Sequence, residues 1–392
     1  MTEPAHPARL SAVDATRGIA LLGMMAVHSL PEETTPGHPS VAFAIFGGRA
    51  AATFAVLAGV GVAFMTGRER VRPADFRATA AMLAVRALAI GAIGLALGYT
   101  DAELAVVILP YYAILFLFAI PLVLLPTWAV AGVGLAVAAG VPPLTHLLQP
   151  HLPEPTLLNH GFLYAATHPV NLLTELTLNG EYPALSWTVY LCAGIVIGRL
   201  SLRRLKTAVA LLGTGVALAV GAAVGSSVLL NHYGGLTAIW SAQPGSVLTV
   251  PETTELLNLG GDGTTPTSTA WWLAVAAPHT GTAPDLVGTT GSAMALLGLM
   301  LLLGRVVRPA VLAPLAAAGS MTLTFYTAHI MFLNSDYDVY SPDAGYWLQV
   351  AAVLVVGLAW RATAGKGPLE ALVTALAKRA KQRAARPVLE PA

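Results

Sequence analysis

Three ionisable residues sit in a stretch that otherwise reads as an apolar helix: LSAVDATRGIALLGMMAVHSL carries Asp14 and Arg17 near one end and His28 near the other. The eleven positions from Arg17 to His28 make about three turns plus 20° at 100° per residue, so both side chains project from one face, about 16 Å apart. Ionisable groups inside a membrane-crossing segment are costly, and they mark a substrate path or a reactive site unless they serve as glue between helices. A guanidinium suits phosphate recognition, with Asp14 to hold it. An imidazole at the far end suits nucleophilic or general-base chemistry. For Arg17 alone, an interfacial snorkelling pair with Asp14 is the bland alternative.

Three further places carry polarity in apolar surroundings. Arg49, in GGRAAATFAVLAGVGVAF, lies about 8 Å below the outer end of its helix, a depth comparable to His28. It either faces His28 or donates, helix to helix, to backbone carbonyls or to an acidic loop residue. In GSMTLTFYTAHIMFL, Thr322, Tyr326 and His329 recur at i, i+4 and i+7 and form one stripe expected to face the bundle interior, as part of a site or as inter-helical hydrogen bonding. Trp187 and Tyr190, in EYPALSWTVY, read more simply as aromatic anchors at the membrane interface. His38 follows His28 by ten positions in PEETTPGHPS and is a second choice for the reactive imidazole. The histidines at 146, 151, 160, 168, 232 and 279 fall in loops without helical zinc spacing, so no metal is expected. No phosphate-binding loop, dinucleotide fingerprint or nucleophile elbow stands in a sensible setting, which argues against ATP-driven transport.

The elements that must hold these residues are membrane helices. With 56% hydrophobic residues, only 10% charged, and a mean hydropathy of +0.69, the chain does not suit a soluble globule. Its long apolar runs predict helices rather than barrel strands, hence an all-α bundle of about ten spans near 11–30, 44–66, 81–100, 104–125, 127–144, 183–200, 207–230, 288–306, 310–333 and 346–362. This topology puts 20 of the 21 basic residues on one side, Arg49 being the exception, so both ends are expected in the cytoplasm of a bacterial inner membrane. The other face carries acidic residues and no lysine, which favours neutral or cationic partners and excludes nucleic acid. The expected organisation is one transmembrane domain: a helix bundle over 9–230, an external region over 231–287, C-terminal helices over 288–363, and a basic cytoplasmic tail over 364–392 holding an interfacial helix. The single Cys192 lies in an apolar run and excludes an intrachain disulfide.

LSAVDATRGIALLGMMAVH resembles the first helix of the transmembrane acyltransferase superfamily, as found in heparan-alpha-glucosaminide N-acetyltransferase-like proteins and the bacterial YeiB-like proteins. GGRAAATFAVLAGVGVAF, YPALSWTVYLCAGIVIGRL and LAAAGSMTLTFYTAHIMF followed by GKGPLEALV are similar to later segments of these families, in the same order. The resemblance implies a membrane acyltransferase that takes an acyl group, acetyl above all, from cytoplasmic acyl-CoA to a hydroxyl or amine of a small-molecule or glycan acceptor on the far side. It implies a homodimer by analogy. The spacing of Arg17 and His28 resembles that of acyltransferases in which the histidine is implicated in catalysis. This sequence has His28 where the animal N-acetyltransferase has asparagine, and its His38 sits in a shorter loop. The site expected on this basis has Asp14, Arg17, Arg68, Arg70, Arg72 and Arg77 for the CoA nucleotide, His28 or His38 for the reaction, and Arg49 with Tyr326 or His329 for the oxyanion. A secondary transporter and a non-enzymatic membrane protein are the competing classes.

Overall fold

The computed structural model describes residues 11–385, so Arg9 and Arg386, both expected among the cytoplasmic basic residues, lie outside the described residues. Helices account for nearly all the regular structure. The first half comprises α1 (Ser11–Ser29), α2 (Val41–Phe46), α3 (Arg49–Met65), α4 (Pro73–Leu97), α5 (Leu109–Leu122) and α6 (Thr127–Leu148), then the short α7 (Phe162–Thr167) and α8 (Pro169–Thr174). There follow α9 (Ala184–Arg199), α10 (Leu205–Ser227), the short α11 (Gly235–Ala242) and α12 (Val250–Asn258), and then α13 (Ala283–Val306), α14 (Pro309–Ala318), α15 (Thr322–Leu333), α16 (Pro342–Thr363) and α17 (Pro368–Ala385). The strands described are a two-stranded hairpin, β1 (Glu33–Thr35) and β2 (His38–Pro39), between α1 and α2.

Local sequence sets many of the helix starts. Proline in the first turn opens α4, α14, α16 and α17, where its missing N–H costs nothing. Side chains cap others: Ser40 accepts from Phe43 N at the head of α2, and Thr249 and Glu252 form a reciprocal capping box on α12.

The ten segments expected to span fall on helical chain, 44–66 across α2 and α3 and 310–333 across α14 and α15. By length and composition, six are long and apolar enough to cross a membrane: Val41–Met65, Pro73–Leu97, Thr127–His151, Leu205–His232, Ala283–Val306 and Pro342–Thr363. A seventh is the pair α14 and α15, bent by 58° between them. The remaining three expected spans differ for physical reasons. Helix α1 carries Asp14 and Arg17, and α5 and α9, with 14 and 16 residues, reach only about 20–25 Å against a hydrocarbon core of about 30 Å. All three are well buried in the bundle, as Leu21, Leu115 and Ile195 indicate, and so is α3. Around them α6, α10 and α16 turn large apolar side chains such as Leu135, Val220 and Val355 outward, as a lipid-facing ring does.

Helix α1 packs against α3, α13 and α14. Its contact with α14 is backbone to backbone: a Cβ on Gly319 would overlap the Asp14 carbonyl, and one on Gly18 would overlap that of Leu315. Gly59 and Gly194 join α3 to α9 in the same way. The 231–287 region forms a small cap with its own core of Ile239, Trp272 and Val275. Its loop at Gly263 has a left-handed backbone and lies against the Gly180 and Glu181 carbonyls, where any side chain would collide.

Candidate active site

A cavity of about 830 Å³ runs through the bundle, and both Arg17 and His28 line it. Its middle is walled by Met24, Phe54, Leu57, Tyr112, Phe116 and Tyr326. A cleft of this size, mostly apolar with a few convergent polar groups, is the usual form of a small-molecule site.

At one end His28 meets His329 of α15. His28 Nδ1 lies 3.1 Å from His329 Nε2, the ring planes differ by 7°, and the centroids are 5.3 Å apart. Because the centroid separation exceeds the nitrogen separation by about two ring radii, the rings meet edge to edge in nearly one plane. His329 Nδ1 in turn lies 2.6 Å from Gln349 Oε1 on α16. Tyr326, one turn before His329, accepts a hydrogen bond from Ile108 N at 3.1 Å, which leaves its own O–H proton available to the cavity.

The other end is cationic. Arg17 Nη1 lies 3.2 Å from Asp14 Oδ1, and Nη2 donates to the Leu57 carbonyl at 3.3 Å. Arg86 of α4 also lines the cavity. Its guanidinium sits 5.2 Å from the centroid of the Phe116 ring, and its buried Nε has no hydrogen-bond partner. Lys366, Glu370 and Val373 close this end. Glu370 is fixed because its carboxylate accepts from Leu323 N, Thr324 N and Thr324 Oγ1, the amino end of α15, where a negative charge is favoured.

Around the imidazole end the loops supply Glu32, Glu181, Asp262 and His279. Glu181 and Asp262 interact with each other at this mouth, and each makes ionising the other costlier or easier according to its own surroundings. Burial first, then the Asp262 charge, holds Glu181 well above the usual carboxylate range, and burial raises Asp262 too. Burial and the neighbouring Glu255, Asp262 and Glu33 also raise Glu32. His279 is pushed by burial down to about 4. Its Nδ1 lies 3.9 Å from Glu181 Oε1.

The structure corrects several expected positions. Arg49 does not face His28: its side chain is exposed and donates to the Ala44 carbonyl at 2.7 Å, the backbone role that competed with catalysis. His38 stands exposed on β2 against the Pro36 carbonyl, away from the cavity. Of the arginines expected to hold a nucleotide, only Arg17 lines the cavity. Arg68 donates to the Gly198 and Leu200 carbonyls and Arg70 to that of Leu124, so both satisfy carbonyls at the ends of α9 and α5. Arg72 pairs with Asp75 at 3.0 Å in solvent, and Arg77 is exposed. Trp187 and Tyr190, expected as belt anchors, are buried instead, with Tyr190 Oη 2.8 Å from Thr289 Oγ1. The residues missed are Arg86, Gln349 and Glu370, each visible as a polar side chain in or beside an apolar helix, and the loop groups Glu181, Asp262 and His279, which no local signal marks.

Fold and cavity together define a multi-pass helical membrane protein enclosing a pocket that is cationic at one end and bears paired imidazoles at the other. A family model described as "Heparan-alpha-glucosaminide N-acetyltransferase, catalytic" matches residues 9–231, more than half of the chain, and the chain belongs to that family. The match includes Arg17, His28, Arg86 and Glu181, whereas Tyr326, His329, Gln349 and Glu370 lie beyond it. Comparison with curated proteins gave no match.

Proposed function

We propose that the protein transfers an acyl group, acetyl in the first instance, from acyl-CoA at the arginine end of the cavity to a hydroxyl or amine acceptor entering at the imidazole end. The observation that carries this reading is the single cavity that joins Arg17 and Arg86 to His28. The family supports transferase chemistry, and the 16 Å or so between Arg17 and His28 suits a long, flexible donor arm.

In this reading the donor's phosphates lie against Arg17, Arg86 and Lys366 and its thioester reaches His28. The acceptor's nitrogen or oxygen attacks the thioester carbonyl carbon while His28 Nε2 removes its proton. The carbonyl becomes an oxyanion facing the Tyr326 hydroxyl, collapses with cleavage of the carbon–sulfur bond, and the proton passes from His28 to the departing sulfur. The acylated acceptor and CoA thiol are then the only products. The partly protonated mouth of Glu32, Glu181 and Asp262 receives a neutral or cationic acceptor more readily than an anion. The same reading has about ten spans, both ends in the cytoplasm of a bacterial inner membrane, and α17 at the cytoplasmic surface.

The test is acetyl transfer from radiolabelled acetyl-CoA by the purified protein to a panel of amines and alcohols. Transfer that falls roughly 100-fold or more in His28→Ala is expected, the range general-base catalysis supplies. Full activity in that variant rejects the reading.

A further inference from the structure

Resting on the acyl-transfer reading, we propose that His329 and Gln349 are positioning residues that lock His28 in the tautomer with its proton on Nδ1 and a lone pair on Nε2. The assignment follows from hydrogen-bond chemistry read inward from α16. Gln349 is buried, at 8% exposure, and its Nε2 faces Ser29 Oγ at 3.5 Å, which turns Oε1 toward His329. A carbonyl oxygen only accepts. The 2.6 Å contact therefore requires the proton of His329 to sit on Nδ1. A neutral imidazole has one N–H, so His329 Nε2 holds a lone pair, and the 3.1 Å contact to His28 Nδ1 requires His28 to donate. The in-plane, edge-to-edge arrangement of the rings is the geometry in which an N–H on one ring points at the lone pair of the other.

What remains on His28 is Nε2 without a proton. That nitrogen is a base. With the opposite tautomer His28 would present N–H and act as a hydrogen-bond donor to an oxyanion, so the orientation of one glutamine amide on α16 selects between two roles. Neither member of the lock touches the substrate, and both lie beyond residue 231, outside the matched catalytic region.

The experiment is nitrogen NMR of the full-length, detergent-solubilised protein with 15N-labelled histidine, the His28 signals being assigned by their loss in His28→Ala. Acetyl transfer is measured on the same samples. The expected spectrum shows His28 protonated at Nδ1 and bare at Nε2. Gln349→Met, which removes the acceptor while keeping the volume, mixes the two tautomers and lowers kcat about tenfold, part of the roughly 10²–10⁴-fold worth of a general base, with KM for acetyl-CoA unchanged. A wild-type spectrum with His28 protonated at Nε2 overturns the lock whether or not any variant folds, as does a Gln349→Met spectrum identical to wild type. The two readings separate cleanly: the expected tautomer without acetyl transfer leaves the lock standing and removes the acyltransferase. His28-dependent transfer with the opposite tautomer does the reverse.

Discussion

Arg86 holds its guanidinium against the Phe116 ring with a buried Nε that finds no partner, a costly arrangement unless an anion completes it. Arg86→Gln is expected to raise KM for acetyl-CoA roughly 10- to 100-fold, the worth of a charge-assisted hydrogen bond of about 1.5–3 kcal/mol, with a smaller change in kcat. Steady-state kinetics over a range of acetyl-CoA decide it, and an unchanged KM contradicts the assignment. Tyr326→Phe removes the hydroxyl that accepts from Ile108 and faces the cavity, and kcat is expected to drop roughly 100-fold, as on loss of an oxyanion donor. Arg17 and His28 were legible in the sequence because a straight helix converts spacing directly into a shared face. Arg49 was not, because its depth follows from counting while its direction depends on how α3 is rotated against its neighbours. Arg68 and Arg70 misled for a related reason: arginines after a helix look alike whether they await a phosphate or cap carbonyls.

At the scale of elements, α1 is held by α14 through contact so close that Gly319 admits no side chain. Gly319→Leu is expected to destabilise the bundle by about 1–3 kcal/mol, the usual cost of overpacking, and to lower the melting temperature of the detergent-solubilised protein. A melting temperature equal to wild type contradicts this packing. The sequence displayed the helices well, since apolar periodicity and first-turn prolines are local features. It did not show which faces of α1, α3, α5 and α9 are buried in the bundle, because an apolar residue reads the same whether lipid or protein covers it. Helix α17 was readable as basic and amphipathic, but not its contact with α4 or the role of Glu370 at the head of α15.

For the whole molecule, a cavity lined by cations at one end and by imidazoles and carboxyls at the other gives the bundle a direction. The acidity of this face was legible in the sequence, but not the mouth itself, since Glu32, Glu181, Asp262 and His279 come from separate loops that only the fold gathers. It carries a pH signature. Glu181 is raised from 4.5, so its contribution to stability is full below about that pH and lost as pH rises through its folded value. His279 is depressed from 6.5 to about 4, so its contribution is full above 6.5 and lost as pH falls toward 4. Thermal melts across pH are expected to show Glu181→Gln reducing the loss of stability on the alkaline side, and a profile parallel to wild type contradicts the raised Glu181 carboxyl. The direction itself is tested with the protein in sealed vesicles holding acetyl-CoA inside only and an amine or alcohol acceptor outside only. The account predicts acetylated acceptor appearing outside while CoA stays within, and loss of that product in His28→Ala. Product formed only when donor and acceptor share one side of the membrane would contradict it.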